Sequence, residues 1–476
     1  MTTGYNLWDP SVWKFVISLT VLLAVMIAAN ALIHMIKPLR KMLIPAPVLG
    51  GFILLAFLTI WRKVTGEELI NPSTMEFLTF HGLGLGCAAL ALKSSGKEKN
   101  PKAQRDIFNS ALVTASTYLL QAVIGLAISF GLSYVINCWA PSGMLLPMGY
   151  GQGPGQAYNW GHTYEMSWGF EHGTSFGLTV SSMGFVACSI GGVLYLNVMR
   201  RRKNKKVLSR LGMKEEFEEL RPEDVSGKNE IPLSDSMDKL TVQFALTFIT
   251  YFVAYGMTLI LSKLCDLSGV NLLVGTVKPL FWGFNFIFAT LAGVIVRKVI
   301  GGLKKSGVQE KEYINNMMMD RVSGLMFDLM IVASIGAIDL SAFTHKEFVI
   351  PLIAMCVAAG VGSYLYVDRV CRKLFPEYAE ESFLALYGML TGVVGTGVIL
   401  LREIDPKFET PACKNLVFQT LWTCLMGFPL LLLMGFVARS TAWTAAVLGI
   451  LTVMFVVFWL IVRARARNLT KVKSRQ

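Results

Sequence analysis

The stretch Gly149-Tyr-Gly-Gln-Gly-Pro-Gly-Gln156 decides how this chain reads. It lies inside an apolar segment, 141–165, yet it crowds glycine, proline and amide side chains together. A regular helix does not survive that, because glycine loosens the backbone and proline removes a donor from the hydrogen-bond ladder. A second stretch, Gly392-Val-Val-Gly-Thr-Gly397, interrupts the apolar segment 381–406 in the same way. Irregular backbone at membrane depth leaves N–H and C=O groups without partners. It persists only where protein buries it or where it lines a wet cavity. Each segment is therefore expected to enter and leave the membrane on one side, as a re-entrant hairpin.

Outward from these two stretches the chain is apolar. Of its 476 residues 54% are hydrophobic and 16% are charged, with mean hydropathy +0.53. A soluble domain carries about 25% charged residues. Spans of roughly 20 residues, about eleven of them, are expected near 13–36, 43–61, 75–93, 106–136, 173–199, 240–264, 272–297, 322–343, 347–367, 411–438 and 441–462. One large soluble core would not give so many runs of one length. The first run follows no basic region and precedes no small-residue cleavage site, so it is expected to remain as a span. The eight cysteines show no C-x-x-C spacing and the five histidines no H-x-x-x-H spacing, so neither a disulfide framework nor a zinc site is indicated. No G-x-x-x-x-G-K-[ST] loop is present, which argues against ATP as the energy source.

The formal charge of +13 reports basic cytoplasmic loops rather than nucleic acid. With the N-terminus outside, the cytoplasmic loops hold Lys37, Arg40 and Lys41, then Lys93 to Arg105, Arg200 to Lys206, Arg297 to Lys311, and Arg369 to Lys373. The tail adds Arg463, Arg465, Arg467, Lys471 and Lys473. The opposite loops hold only Arg62, Lys63, Lys263, Lys346 and Arg439. The bias follows the positive-inside rule at every loop, provided that the two interrupted segments cost no crossing.

The order of elements repeats. Each half shows two spans, a third span rich in small residues, a fourth span, an interrupted segment and a fifth span. An odd number of crossings per half inverts the second half relative to the first. The expected fold is thus an all-α integral membrane protein of two inverted five-helix repeats, each with a re-entrant hairpin, plus an extra C-terminal transmembrane helix. The repeats are 1–200 and 240–438, joined by a charged cytoplasmic linker, 201–239, and followed by the extra helix and basic tail, 439–476. Inverted repeats with interrupted segments at mid-depth are a carrier signature. Half-helix starts attract an anion and freed carbonyls coordinate sodium. For Gly82, Gly84 and Gly86 two readings stand, close helix packing or local unwinding.

Particular side chains carry the site expectation. Gln152 and Gln156 offer amides to a substrate, or else cap broken helices. Ser142 and Thr396 offer hydroxyls. Arg402 offers two hydrogen bonds to a carboxylate, or joins Glu403 and Asp405 in a local ion network. Asp328 is an acid inside an apolar span and by default a functional candidate, with a structural ion pair as its alternative. His162, Glu165, Glu171 and His172 form either a cation-gathering vestibule or solvated loop charge. The expected substrate residues are Gln152, Gly153, Gln156, Thr396, Gly397 and Arg402. The expected sodium residues are Ser142, Gly151, Asp328, Thr391 and Gly395. No catalytic residue, resident cofactor or other metal is expected.

Several motifs resemble those of the sodium:glutamate symporter family. Leu43-Ile-Pro-Ala-Pro-Val-Leu-Gly-Gly51 resembles its second span, and Phe80-His-Gly-Leu-Gly-Leu-Gly-Cys-Ala-Ala89 with Lys93-Ser-Ser-Gly-Lys97 its third span and loop. Gly151-Gln-Gly-Pro-Gly-Gln-Ala-Tyr-Asn-Trp-Gly161 and Trp168-Gly-Phe-Glu-His172 are similar to its first hairpin. Leu386-Tyr-Gly-Met-Leu-Thr-Gly-Val-Val-Gly-Thr-Gly397 and Thr410-Pro-Ala-Cys-Lys-Asn-Leu416 fall where its second hairpin lies. The chain departs from the family at Gln152-Gly153-Pro154, where the family carries His-Gly-Thr. The resemblance implies a homodimer, a bacterial inner membrane, and sodium-coupled symport of glutamate or a related small organic anion. A proton-driven carrier of another carboxylate or amino acid, and a channel, are the alternatives.

Overall fold

The computed structural model describes residues 10–93, 100–201, 237–271, 273–307 and 311–473. The linker expected at 201–239 lies almost wholly outside the described residues. Among those described the chain is helical, with no strand. The helices are α1 (Pro10–Met35), α2 (Ala46–Thr65), α3 (Pro72–Leu92), α4 (Pro101–Ile136), α5 (Pro154–Trp168), α6 (Gly173–Arg201), α7 (Lys239–Ser268) and α8 (Asn285–Lys305). They continue as α9 (Asn316–Gly336), α10 (Lys346–Leu374), α11 (Ala379–Leu390), α12 (Val394–Arg402), α13 (Ala412–Phe418), α14 (Thr420–Val437) and α15 (Thr441–Lys473). Among the described residues nine helices are long and apolar enough to cross a membrane, or ten if the bent pair α13–α14 is one span.

Local chemistry sets the ends. Asn100 accepts a hydrogen bond from Lys102 N at 2.9 Å, and Pro101 opens α4, an N-cap followed by a residue whose missing N–H costs nothing there. Asp238 caps α7 by accepting from Leu240 N and Thr241 N. Gly66, at φ +74°, closes α2 in the left-handed conformation.

Two expected spans are corrected. The span near 272–297 is broken: a π-helical turn, Leu273–Val277, and a short helix, Lys278–Gly283, precede α8. Pro279 restarts the helix there, since its ring clashes with the preceding turn. The span near 322–343 is α9, shifted toward its start and not among the nine. Asn315 Oδ1 accepts from Met318 N at 2.8 Å, which fixes the early start. Asp339 accepts from Ser341 N at 2.9 Å and caps a 3-10 turn, Leu340–Thr344, which ends the span early. Burial would raise the Asp339 pKa, but the Ser341 hydrogen bonds, with His172 and Arg62 nearby, hold it below the ordinary carboxylate value.

The chain divides into two compact units, one of Met1–Pro72, Glu98–Lys214 and Ser334–Gln476, the other of Ser73–Lys97 and Glu215–Ala333. The division crosses the two sequence halves instead of separating them. In the smaller unit α3 runs unbroken through Gly82, Gly84 and Gly86. A Cβ on Gly82 would lie 2.9 Å from Met330 Cβ, on Gly84 2.2 Å from Tyr251, and on Gly86 2.4 Å from Phe327. These glycines serve close packing, which in a membrane does the work that water-driven burial does elsewhere. His81 Nδ1 lies 3.0 Å from Tyr251 OH in the same contact.

In the larger unit α4, 36 residues long, is the central element. Against it pack α10, α14 and α15 and the 3-10 turn Ala140–Met144. Gly125 and Gly143 let that turn touch α4 backbone to backbone: a Cβ on Gly125 would lie 2.3 Å from Gly143 O.

Candidate functional site

The segment 141–165 is no continuous helix. It comprises the 3-10 turn, a π-helical turn at Pro147–Gly151, a break at Gln152–Gly153, and α5. Gly153 holds φ +86° and ψ −177°, a region that essentially only glycine occupies. Proline at the first position of α5 loses nothing, because the first N–H groups of a helix lack intrahelical partners. The N–H groups of Gly155 and Gln156 thus begin α5 without such partners.

The segment 381–406 is broken in the same manner. α11 ends at Leu390 and α12 begins at Val394. Thr391 Oγ1 donates to Tyr387 O at 2.7 Å, closing α11. Thr396 Oγ1 accepts from Val393 N at 3.0 Å and has two carbonyls in reach of its single proton, Gly388 O at 2.6 Å and Val393 O at 2.7 Å. Both hydroxyls are committed to shaping the break.

The two breaks meet. A Cβ on Gly153 would lie 2.8 Å from Val393 Cγ1 and 3.5 Å from Gly392 O. The N-terminal ends of α5 and α12 therefore converge, and with them two partial positive charges. The preceding pieces end at the same place, bringing carbonyls near. Sites of both polarities arise within a few residues.

α4 and α6 hold this arrangement. Tyr118 OH donates to Gly151 O at 3.1 Å, and a Cβ on Gly151 would lie 2.4 Å from the Tyr118 ring. Gln121 Nε2 donates to Leu390 O at 2.8 Å and to Ser363 Oγ at 3.0 Å. One α4 turn thus braces both breaks. Neither side chain stands out in the sequence analysis; the signal was an amide within the apolar run Tyr118-Leu-Leu-Gln-Ala-Val-Ile124. On α6, glycines at 177, 184 and 191 form a stripe spaced by seven. A Cβ at these positions would meet Ala157 O at 2.2 Å, Thr391 O at 2.8 Å and Tyr387 OH at 2.3 Å, respectively.

Several buried polar atoms here have no hydrogen-bond partner among the described residues. They are both amide atoms of Gln156, the hydroxyl of Ser181, and Gln121 Oε1. Gln156 is 2% exposed. A buried polar group left unmade costs about 1–3 kcal/mol, so such a cluster marks a place where polarity serves something other than stability. Gln152, half-buried, sits at the break itself.

The remaining expected residues fall elsewhere. Ser142 lies in the 3-10 turn against α4, ten residues before the break. Gly397 is a packing residue: a Cβ there would lie 2.3 Å from Ala385 O. Gly395 is exposed, with its nearest neighbour at 3.9 Å. Arg402 lies at the far end of α12, about 12 Å along the axis from Val394, with its guanidinium 5.7 Å from the Phe408 ring. Asp405 holds the following loop by accepting from Glu409 N and Thr410 N at 2.9 Å. Asp328 belongs to the smaller unit and is exposed on α9. Glu165 accepts from Thr174 N at 2.9 Å at the start of α6, so it shapes a turn.

The difference between Gly395 and Gly397 is testable. Gly397→Ala is expected to cost about 1–3 kcal/mol by overpacking. Gly395→Ala gains up to about 1 kcal/mol, as alanine is the better helix former in open space. Thermal unfolding of the purified variants reads both.

The arrangement offers N–H and amide donors to an anion and carbonyls to a cation. None of the residues from 151 to 157 or from 390 to 397 is ionisable, so the breaks bring no acid or base of their own.

Comparison with known proteins gives a family match. The protein-family model described as Sodium/glutamate symporter matches residues 13–373. A curated relative, the sodium/glutamate symporter of Haemophilus influenzae, is 24% identical over 342 residues, 67% of this chain and 76% of its own length. No solved structure matches. The family match ends at the last turn of α10, so the second break and α15 lie beyond it.

Proposed function

Because the chain belongs to the sodium/glutamate symporter family, a family of secondary transporters and not of enzymes, we propose that it carries glutamate or a closely similar small organic anion together with sodium, holding both at the two helix breaks. The single observation that supports this most is the approach of Gly153 to Val393. It places two helix N-termini and two sets of chain-end carbonyls around one point, the combination that broken-helix carriers use.

In this reading the substrate carboxylate faces the free N–H groups of Gly155 and Gln156 and the amides of Gln152 and Gln156. Charge-assisted hydrogen bonds of this type are roughly twice as strong as neutral ones. Sodium lies on the other side of the breaks, on carbonyls of Gly151 and Thr391. A carbonyl oxygen has two lone pairs, so the Tyr118 bond to Gly151 O leaves one for the ion. Ser181 is added to the group. Ser142, Asp328, Gly397 and Arg402 are assigned no direct contact.

The two broken segments then act as re-entrant hairpins of two inverted repeats, 1–200 and 240–438. Rocking of the hairpin-bearing unit alternates access. The protein sits as a homodimer in a bacterial inner membrane, N-terminus outside and C-terminus cytoplasmic, as the loop charges favour.

Uptake of labelled glutamate and a panel of carboxylates and amino acids into proteoliposomes tests the proposal. A sodium gradient is expected to drive uphill accumulation that collapses when a sodium ionophore is added. Accumulation driven only by protons, or downhill flux without saturation, would overturn it in favour of a different carrier or a channel.

A further inference from the structure

The last turn of α10, Pro376 after it and the C-terminal part of α15 line an open-sided cavity of about 500 Å³, apart from the helix breaks. Four cationic side chains line it: Arg372, Lys373, Arg463 and Arg467. Arg463 and Arg467 are four residues apart and so share one face of α15. Arg465, between them, points another way. Its guanidinium stands 4.3 Å from the Phe108 ring and donates to Asn109 Oδ1 at 3.0 Å, which pins α15 to α4. The cavity is therefore built by a docked helix and not by a loose tail.

Arg372 is already committed. Its guanidinium lies 2.9 Å from Asp368 and 3.9 Å from Glu380, and donates to Tyr195 OH. Among the described residues Lys373, Arg463 and Arg467 have no carboxylate within ion-pair distance. Cations at the end of α10 also offset its dipole, but that accounts for Arg372 and Lys373, not for the pair on α15.

The surroundings say what ligand fits. Over the two turns before Arg463, α15 exposes Val456, Val457, Trp459, Leu460 and Ile461. The Arg463 guanidinium lies 5.4 Å over the Trp459 ring. A tryptophan beside an arginine at the end of an apolar helix marks headgroup depth. Basic pockets between helices at that depth suit phosphate-bearing lipids. We propose that this cavity binds the headgroup of an anionic phospholipid, with its acyl chains along the exposed apolar strip of α15.

Thermal unfolding and native mass spectrometry of the full-length protein in mild detergent test this. Phosphatidylglycerol is expected to raise the melting temperature and to remain bound in the gas phase, whereas phosphatidylcholine and excess inorganic phosphate do neither. The double variant R463Q/R467Q is expected to bind phosphatidylglycerol roughly thirtyfold more weakly, at about fivefold per cation, while Lys63→Gln changes nothing. If the double variant fails to fold, R463K/R467K keeps the charges and is expected to keep the lipid, and Lys373→Gln to weaken it about fivefold. Equal effects of phosphatidylcholine, a shift reproduced by inorganic phosphate, or unchanged binding by the glutamine variants would each overturn the assignment.

Discussion

Gly153→Val is expected to lower sodium-driven uptake by at least about thirtyfold while the chain still folds and inserts. Two costs combine at this position. The backbone, at φ +86° and ψ −177°, lies where a side chain is strained by about 1–3 kcal/mol. The added carbon would also lie 2.8 Å from Val393 Cγ1, so the other break must move. Overpacking of this kind costs about 1–3 kcal/mol more. Relief requires one break to move from the other, against the hold that Tyr118 and Gln121 of one α4 turn keep on both. A tenfold loss per 1.36 kcal/mol turns the combined cost of about 2–6 kcal/mol into a loss of about thirtyfold or more. Uptake by equal amounts of purified, reconstituted protein reads it. Gly153→Ala is expected to fall between wild type and Gly153→Val.

Gln156→Leu is expected to move stability and transport in opposite directions. Both amide atoms are buried without a partner among the described residues. Leucine has a similar volume and carries no desolvation cost, so the melting temperature rises, by the equivalent of about 1–3 kcal/mol. Uptake falls tenfold to a hundredfold, since a hydrogen bond to a charged group contributes about 1.5–3 kcal/mol. A merely structural glutamine gives the opposite pattern, with stability and uptake falling together. Such a trade of stability for function is common at working sites.

What the sequence disclosed follows from what each signal measures. Apolar runs reported the spans because lipid demands satisfied backbone over about 20 residues. They did not report where helices end, because ends are set by caps. Hydropathy therefore set α9 too late: it under-reads the opening turns, which carry Asp320 and Arg321, although Asp320 is paired with Lys93 at 2.6 Å. The density of glycine and proline at 149–156 located the first break correctly, and the glycines at 392–397 the second. Glycine spacing alone did not separate breaks from packing. Gly82, Gly84 and Gly86 share that spacing yet sit in an unbroken helix. Only neighbouring atoms distinguish the two uses.

Charge type alone does not report reach. Arg402 reads as a carboxylate clamp by type, but a helix of nine residues carries it away from the break. Gln121 reads as an incidental amide in a long span, and its hydrogen bonds to α10 and α11 come from residues more than 240 positions away. Contacts of that separation leave no local pattern in one sequence.

As proposed above, the two meeting helix breaks are a shared solute site, opened in turn to each side of the membrane. Labelling of Val393→Cys by a membrane-impermeant thiol reagent, in protein whose eight native cysteines are replaced, tests it most directly. Reaction is expected from either face of oriented vesicles, with protection from both faces when sodium and substrate are present together. Reaction from one face alone, indifferent to sodium and substrate, would contradict it.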